Sequence, residues 1–415
     1  MHRILSVLIL SCAGACAPMT SLDGAAGSVL LRRESTFSRS RMTTTTFSST
    51  RKAETTRKAD TSGMVMVAPQ QTPAPAPLQY APGRAFVVGG SAAAVAAADM
   101  DSDGRQDLVV ALFSADSVVV LKGDGAGGFV AGSSVAAGQG PVAVVVLDVT
   151  QDGRPDVVVA SALSSTITVL ANNGNGGFDA VDTVQPGIQP MALTAVDLDA
   201  DGRMDVAAAL GDGRVAVLRT NAGGGLAEAV LVGCGVYPTS ITASDVDRDG
   251  DMDLVVANQL GDSVSVIRND GAGIFTSLTE RAAGQGPAAV TSVELAPGAL
   301  PSLLVANRDQ GLLHLLTPEG NSRQVTLGVA PLALLTADLD GDGARDVAVA
   351  HSDGTVMLLK PDGSGSLAAV TQVRAGTSPS MVISADLNGD GRRDLITSNL
   401  GSNDVTVHLH TSPVL

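Results

Sequence analysis

Asp99-Met100-Asp101-Ser102-Asp103-Gly104-Arg105-Gln106-Asp107 runs straight into Leu108-Val109-Val110-Ala111. Four carboxylates alternate around a single glycine, and an apolar, β-branched run leaves them. The pattern D-x-D-x-D-G-x-x-D returns from Asp148, Asp197, Asp245, Asp338 and Asp386, with Thr150 and Asn388 in the second acidic place of two copies. The spacings are 49, 49, 48, 93 and 48 residues. Self-similarity at a fixed period marks a repeat architecture, and a gap of nearly two periods predicts a further repeat inside it.

A second marker finds that repeat. A proline stands seven residues before each acidic start, at Pro141, Pro190, Pro238, Pro331 and Pro379, in a Gly-x-x-Pro turn. Pro287 fits the same frame and points to Glu294, where the acidic loop has decayed to Glu294-Leu295-Ala296-Pro297-Gly298. The first repeat keeps Gly89 but has Ala92 in place of proline. The count is seven repeats.

Each repeat reads as four strands. An apolar run such as Val142–Leu147 precedes the acidic loop, and a second such as Asp253–Ala257 leaves it. A third follows, such as Thr166–Leu170, then a Gly-rich turn and a less apolar fourth. Short runs rich in Val and bounded by Gly, Asn and Pro are strands. Four strands per period of this length make one propeller blade. The expected fold is therefore all-β: a seven-bladed β-propeller of four-stranded blades over residues 84–415. The last repeat stops after its third strand, Val405–Leu409, and Ala85–Val88 is the candidate for the missing fourth. Pairing them would lock the ring and remove its open edge.

Composition agrees. Hydrophobic residues make up 45% and Gly numbers 47, while aromatics are 2% and Trp is absent. The net charge of -16 excludes nucleic acid as the main partner, since phosphate binding needs clustered Lys and Arg.

The start of the chain reads as an address. After Met1-His2-Arg3 comes a short apolar run, Ile4–Leu10, then Ser11-Cys12-Ala13-Gly14-Ala15-Cys16. That is the layout of a secretory signal, too short to span a bilayer. Residues 1–16 are expected to be a lipoprotein-type signal with lipidation at Cys16, with Cys12 or an unlipidated cleaved signal as alternatives. Residues 17–83, rich in Ser, Thr and Pro, read as a disordered linker. The expected location is exported, as an outer-membrane lipoprotein or at the cell surface, or else periplasmic or secreted. Cys234 stands alone in the body of the chain, so there is no disulfide framework.

Six acidic loops in frame with six Gly-x-x-Pro turns resemble the FG-GAP family, also called VCBS repeats, known from the integrin alpha-chain head and many exported bacterial proteins. The resemblance covers residues 85–415. It implies a seven-bladed propeller with calcium in the loops between first and second strands.

The chemistry of the loops suits that ion. Calcium takes six to eight oxygens, and alternating carboxylates on a tight loop can converge on one point. In the first loop Asp99, Asp101 and Asp103 would supply side-chain oxygens, Arg105 its carbonyl, and Asp107 would close the shell. The same places fall to Asp148, Thr150, Asp152, Arg154 and Asp156; to Asp197, Asp199, Asp201, Arg203 and Asp205; and to Asp245, Asp247, Asp249, Asp251 and Asp253. They fall likewise to Asp338, Asp340, Asp342, Ala344 and Asp346, and to Asp386, Asn388, Asp390, Arg392 and Asp394. The loops with Thr150 and Asn388 each lack one charge and are expected to bind more weakly; the loop at Glu294 should be empty. Magnesium prefers a rigid octahedron with retained water, and zinc would want Cys or His. From Ala85 onward 38 acidic residues face 16 basic ones. Without metal, packed like charges disfavour the closed loop, so stability is expected to depend on up to six structural calcium ions.

The function this implies is a non-enzymatic binding, scaffold or adhesion module with an unidentified protein or extracellular-matrix partner. The head would be monomeric and would touch a membrane only through its lipid. The alternative is a hydrolase or lyase that works on an extracellular polymer from a propeller face. Against it, His314, His351, His408 and His410 form no spaced metal cluster, and no Gly-x-Ser-x-Gly elbow occurs. With Tyr237 the sole Tyr or Trp after residue 84, a stacking platform for sugars is not expected either.

Overall fold

The computed structural model describes residues 78–411 except 175, 176, 296, 297, 363 and 364. The expected signal, Cys16 and nearly all of the linker lie outside the described residues, as do Ala296 and Pro297 of the decayed loop.

Seven four-stranded antiparallel sheets are present. The first blade, for example, comprises Ala92–Ala98, Asp107–Leu112, Ser117–Gly123 and Phe129–Ala136. The other five complete blades follow in chain order, with innermost strands starting at Pro141, Pro190, Pro238, Pro287 and Pro331. Proline suits this place because an innermost strand has a free edge and one N–H that no ladder needs. Innermost strands of neighbouring blades meet all the way round, and Ala92–Ala98 also meets Pro379–Ala385. The ring is closed.

The seventh blade is composite. Its first three strands are Pro379–Ala385, Asp394–Asn399 and Asp404–His408, and its fourth is Arg84–Val87 from before the first repeat. Phe86 pairs with Val405, as expected for ring closure. The clasp extends beyond the strand. Ala81 N–H donates to Leu409 O at 2.8 Å, and Thr411 N–H to Gln79 O at 2.8 Å. Leu78 is buried among Leu339, Leu358 and Leu395. Six residues read as linker, 78–83, thus lie against the ring.

Every second strand is buried along its whole length, which explains its unbroken apolar reading. The fourth strands are largely exposed. Phe86 and Phe129 meet edge to face, 5.3 Å between centroids, so Phe129 is a core residue of the seam. Burial pushes the Cys234 thiol up to about 12, helped by the charges of Asp212 and Glu280.

One irregularity recurs in all seven innermost strands. The register shifts between the first and third residues, as at Pro141/Ala143 and Pro379/Met381. The residue between is a β-bulge, which re-aims a side chain. These residues, among them Val142, Met191, Thr239, Leu332 and Ser380, line the axial channel.

Candidate metal centres

Each acidic loop joins the innermost strand of a blade to the second, so all six stand at one end of the ring. Their shape follows from two left-handed residues. The fourth place has positive φ in all six: Ser102, Gln151, Ala200, Arg248, Gly341 and Gly389. The sixth is always glycine, with φ between 79° at Gly391 and 99° at Gly250. Nothing lies within 4 Å of a Cβ built on Gly104, so the dihedral, not space, demands glycine there.

The carboxylates divide their labour. The first holds the loop's own backbone: Asp99 accepts from Asp103 N–H at 3.1 Å and Gly104 N–H at 2.8 Å. Asp386 accepts from Gly389, Asp390 and Gly391. The third accepts from the residue two places on, as in Asp103 with Arg105 N–H at 2.9 Å and Asp342 with Ala344 N–H at 2.8 Å. The last is buried and ties two strands together. Asp107 accepts from Met100 N–H at 3.0 Å and Gly123 N–H at 2.8 Å, and Asp156, Asp205, Asp253 and Asp394 repeat the arrangement. Burial raises the pKa of Asp107, Asp205, Asp253 and Asp394, and these N–H groups oppose the rise.

The second place is different. Asp101 Oδ1, Asp199 Oδ1 and Thr150 Oγ1 are buried with no hydrogen-bond partner. An orphaned buried oxygen is costly, and at Asp101 and Asp199 it lies where other carboxylates converge. Carboxylate oxygens lie within 4.8 Å of one another in Asp99, Asp101 and Asp107; in Asp197, Asp199 and Asp205; in Asp245, Asp247 and Asp249; and in Asp338, Asp340 and Asp346. These are the four loops with four ligand-place aspartates. In the other two, Asp148, Asp152 and Asp156 and then Asp386, Asp390 and Asp394 keep the same loop bonding around Thr150 and Asn388. An all-oxygen donor set with orphaned oxygens fits a hard divalent cation such as calcium.

Cations within the protein also reach these loops, and the sequence reading missed them. Lys122 pairs with Asp101, Arg219 with Asp199, Arg268 with Asp247, and Lys360 with Asp340. Each stands at the end of a third strand, some twenty residues from its partner, so only alignment of the repeats against one another could have found them. Arg105, Arg154, Arg203 and Arg392, expected to offer carbonyls, also turn their guanidinium groups to Asp103, Asp152, Asp201 and Asp390.

The decayed loop has an organiser of its own. Arg248, from the neighbouring acidic loop, donates to Gly298 O and Ala299 O at 2.7 Å each and pairs with Glu294 at 3.2 Å. A guanidinium thus gathers the oxygens of the loop expected to be empty.

Of the histidines, His410 borders the last loop through its backbone N–H on Asp394, while the rings make other contacts. His351 Nδ1 lies 3.2 Å from Thr355 Oγ1, His408 Nδ1 lies 3.1 Å from Ala81 O, and His410 stacks edge-on against Tyr80 at 5.0 Å.

The FG-GAP-like repeat matches this chain five times, over residues 99–159, 148–208, 197–256, 245–297 and 338–397. No curated protein sequence matches significantly. Among solved structures the chain is similar to BBS1N in complex with ARL6DN, at 16% identity and a TM-score of 0.62, over 82% of this chain and 99% of that one. It is similar to virginiamycin B lyase from Staphylococcus aureus at 11% identity and 0.55, over 80% and 99%. It is also similar to Saccharomyces cerevisiae Sqt1 at 11% identity and 0.54, over 82% and 100%. At such identities the likeness is one of fold, and fold alone does not carry function.

Proposed function

The chain belongs to the FG-GAP-like repeat family, and on that premise we propose that it is a calcium-stabilised β-propeller that binds or organises other proteins and catalyses nothing itself. The anchor would be a lipid on Cys16, which would hold the head at the outside of the cell. Support for the metal comes from the orphaned oxygens of Asp101 and Asp199 at points of carboxylate convergence. Such an ion would be structural, because it would stand on loops whose carboxylates already tie strand ends together.

The observation that carries the binding role is an apolar face at the other end of the ring. Leu163, Ile188, Val236 and Leu260 are all more than 40% exposed on the turns of consecutive blades, from the second to the fourth. Phe113 and Tyr237 lie half-buried beside them. Exposed apolar groups on turns at one end of three neighbouring blades offer a surface to a partner.

The test is capture from the native envelope by the full chain, with calcium and with a chelator, beside the variant Ile188→Asp/Leu260→Asp. A protein retained by the wild type and released by the double variant supports the binding role. Turnover of an extracellular polymer by the purified chain would replace it with a hydrolase or lyase.

A further inference from the structure

Two positions change together through the repeats. Where the second place of the loop is Asp101, Asp199, Asp247 or Asp340, the third strand of the same blade ends in Lys122, Arg219, Arg268 or Lys360. Where the second place is Thr150 or Asn388, the matching residue is Ala171 or Leu409. In the decayed repeat the matching residue is Thr317, and the second place in the sequence is Ala296. An extra acid occurs only with an extra base.

Geometry makes the pairs direct. Lys122 Nζ is 2.9 Å from Asp101, and Arg219 Nε is 3.6 Å from Asp199. Arg268 pairs with Asp247 and lies 3.2 Å from the buried Asp253. Lys360 goes furthest: it pairs with Asp340 and stands 3.2 Å from Asp342 and 3.9 Å from Asp346. Its side chain is 8% exposed, against 49% for Lys122. The Lys360 ammonium therefore sits where a cation shared by these carboxylates would sit.

We propose that Lys122, Arg219, Arg268 and Lys360 are tethered counter-ions that compete with calcium for the second carboxylate, which divides the six loops into two classes. In four loops the side chain holds the loop closed without metal and must leave, or suffer the metal's repulsion, when metal enters. In the loops of Asp148 and Asp386 no third-strand cation reaches the second place; Arg154 and Arg392 form their ion pairs with the third carboxylate, so the second place is left open to the ion. The extra, second-place carboxylate is thus cancelled by its cation, so charge counting overstates the affinity of the fuller loops. Lys122 can swing into solvent at little cost; Lys360 must leave a buried pairing, so its loop should be the most hindered.

This inference rests on the metal reading above, and calorimetric calcium titration of the full chain separates the two. Removing a unit charge a few ångströms from the ion should tighten one site at least roughly tenfold in Lys360→Met, and less in Lys122→Met. Lys360→Met should also melt lower than wild type in chelator and higher in saturating calcium. Should Lys360→Met not fold, the second blade carries the test: Thr150→Asp should tighten its site, and Thr150→Asp/Ala171→Lys should return it to the wild-type affinity. A wild type that takes up no calcium overturns the metal reading itself. Calcium uptake that is equally tight in wild type and Lys360→Met, or in Thr150→Asp and its double variant, overturns the counter-ion proposal and leaves the metal reading standing.

Discussion

Asp346 faces Pro361 at the place where the other five buried closing aspartates face a backbone N–H. Gly123, Asn172, Thr220, Asn269 and His410 each donate to the matching Oδ1 at 2.7–2.9 Å. Pro361 has no N–H to give, and Asp346 Oδ1 is left without a hydrogen bond. Burial, opposed by Lys360 and reinforced by Asp340, pushes the Asp346 carboxyl up to about 7.

Restoring that donor should stabilise the calcium-free protein. Asn stands at this place in two other blades, as Asn172 and Asn269, so Pro361→Asn has a native precedent. One satisfied buried oxygen contributes on the order of 1 kcal/mol. Denaturation in chelator should show that gain.

Asp386 accepts three loop N–H groups, bonds that need no metal. Asp386→Ala should therefore cost roughly 2 kcal/mol even in chelator, from backbone groups left unpaired. Asn388→Ala removes one donated and one accepted bond with Asp390, whose N–H keeps Asp386 as a second acceptor, and should cost less there. Equal losses in the two variants under chelation would contradict the division of labour among the carboxylates.

The seam should be the ring's weak joint. Phe86 packs on Phe129 and pairs with Val405 across it. Phe86→Ala should lower stability by about 2–3 kcal/mol, since the ring is only partly buried. A thermal melt and protease sensitivity should both report the loss.

Acid should act through buried histidine. Burial lowers the pKa of His351 below its ordinary value of 6.5. The unfolded chain then takes up the proton first, so the stability held above about pH 6.5 falls as pH falls below it. Asn occupies the equivalent place at Asn258, Asn307 and Asn399. His351→Asn should thus lose less melting temperature than wild type between pH 7.5 and 5.5.

The fold was legible because its signals are local and repeated. Gly-x-x-Pro and the acidic loop recur in frame, and each carries one blade's geometry. The closing strand was legible as an apolar run left without a repeat. The acidic clusters between first and second strands were legible too, because their carboxylates lie within nine residues of sequence. What escaped were relations across distance. Lys360 acts on Asp340 from twenty residues away, Arg248 reaches into the next blade, and the missing N–H of Pro361 matters only because folding sets it against Asp346. The bulges at Val142 and its counterparts have no sequence mark beyond the proline before them, since they arise from ring geometry.

The composite seventh blade imposes an order of events on the making of the protein. Among the described strands, residues 84–87 leave the ribosome first and their partner Asp404–His408 last. Until then the chain carries an unpaired strand at each end, and no nascent fragment can reach the native state, however many blades it has. A chain halted before Asp404 would present two open sheet edges at once, and its signature would be self-association through those edges rather than a shorter, stable ring.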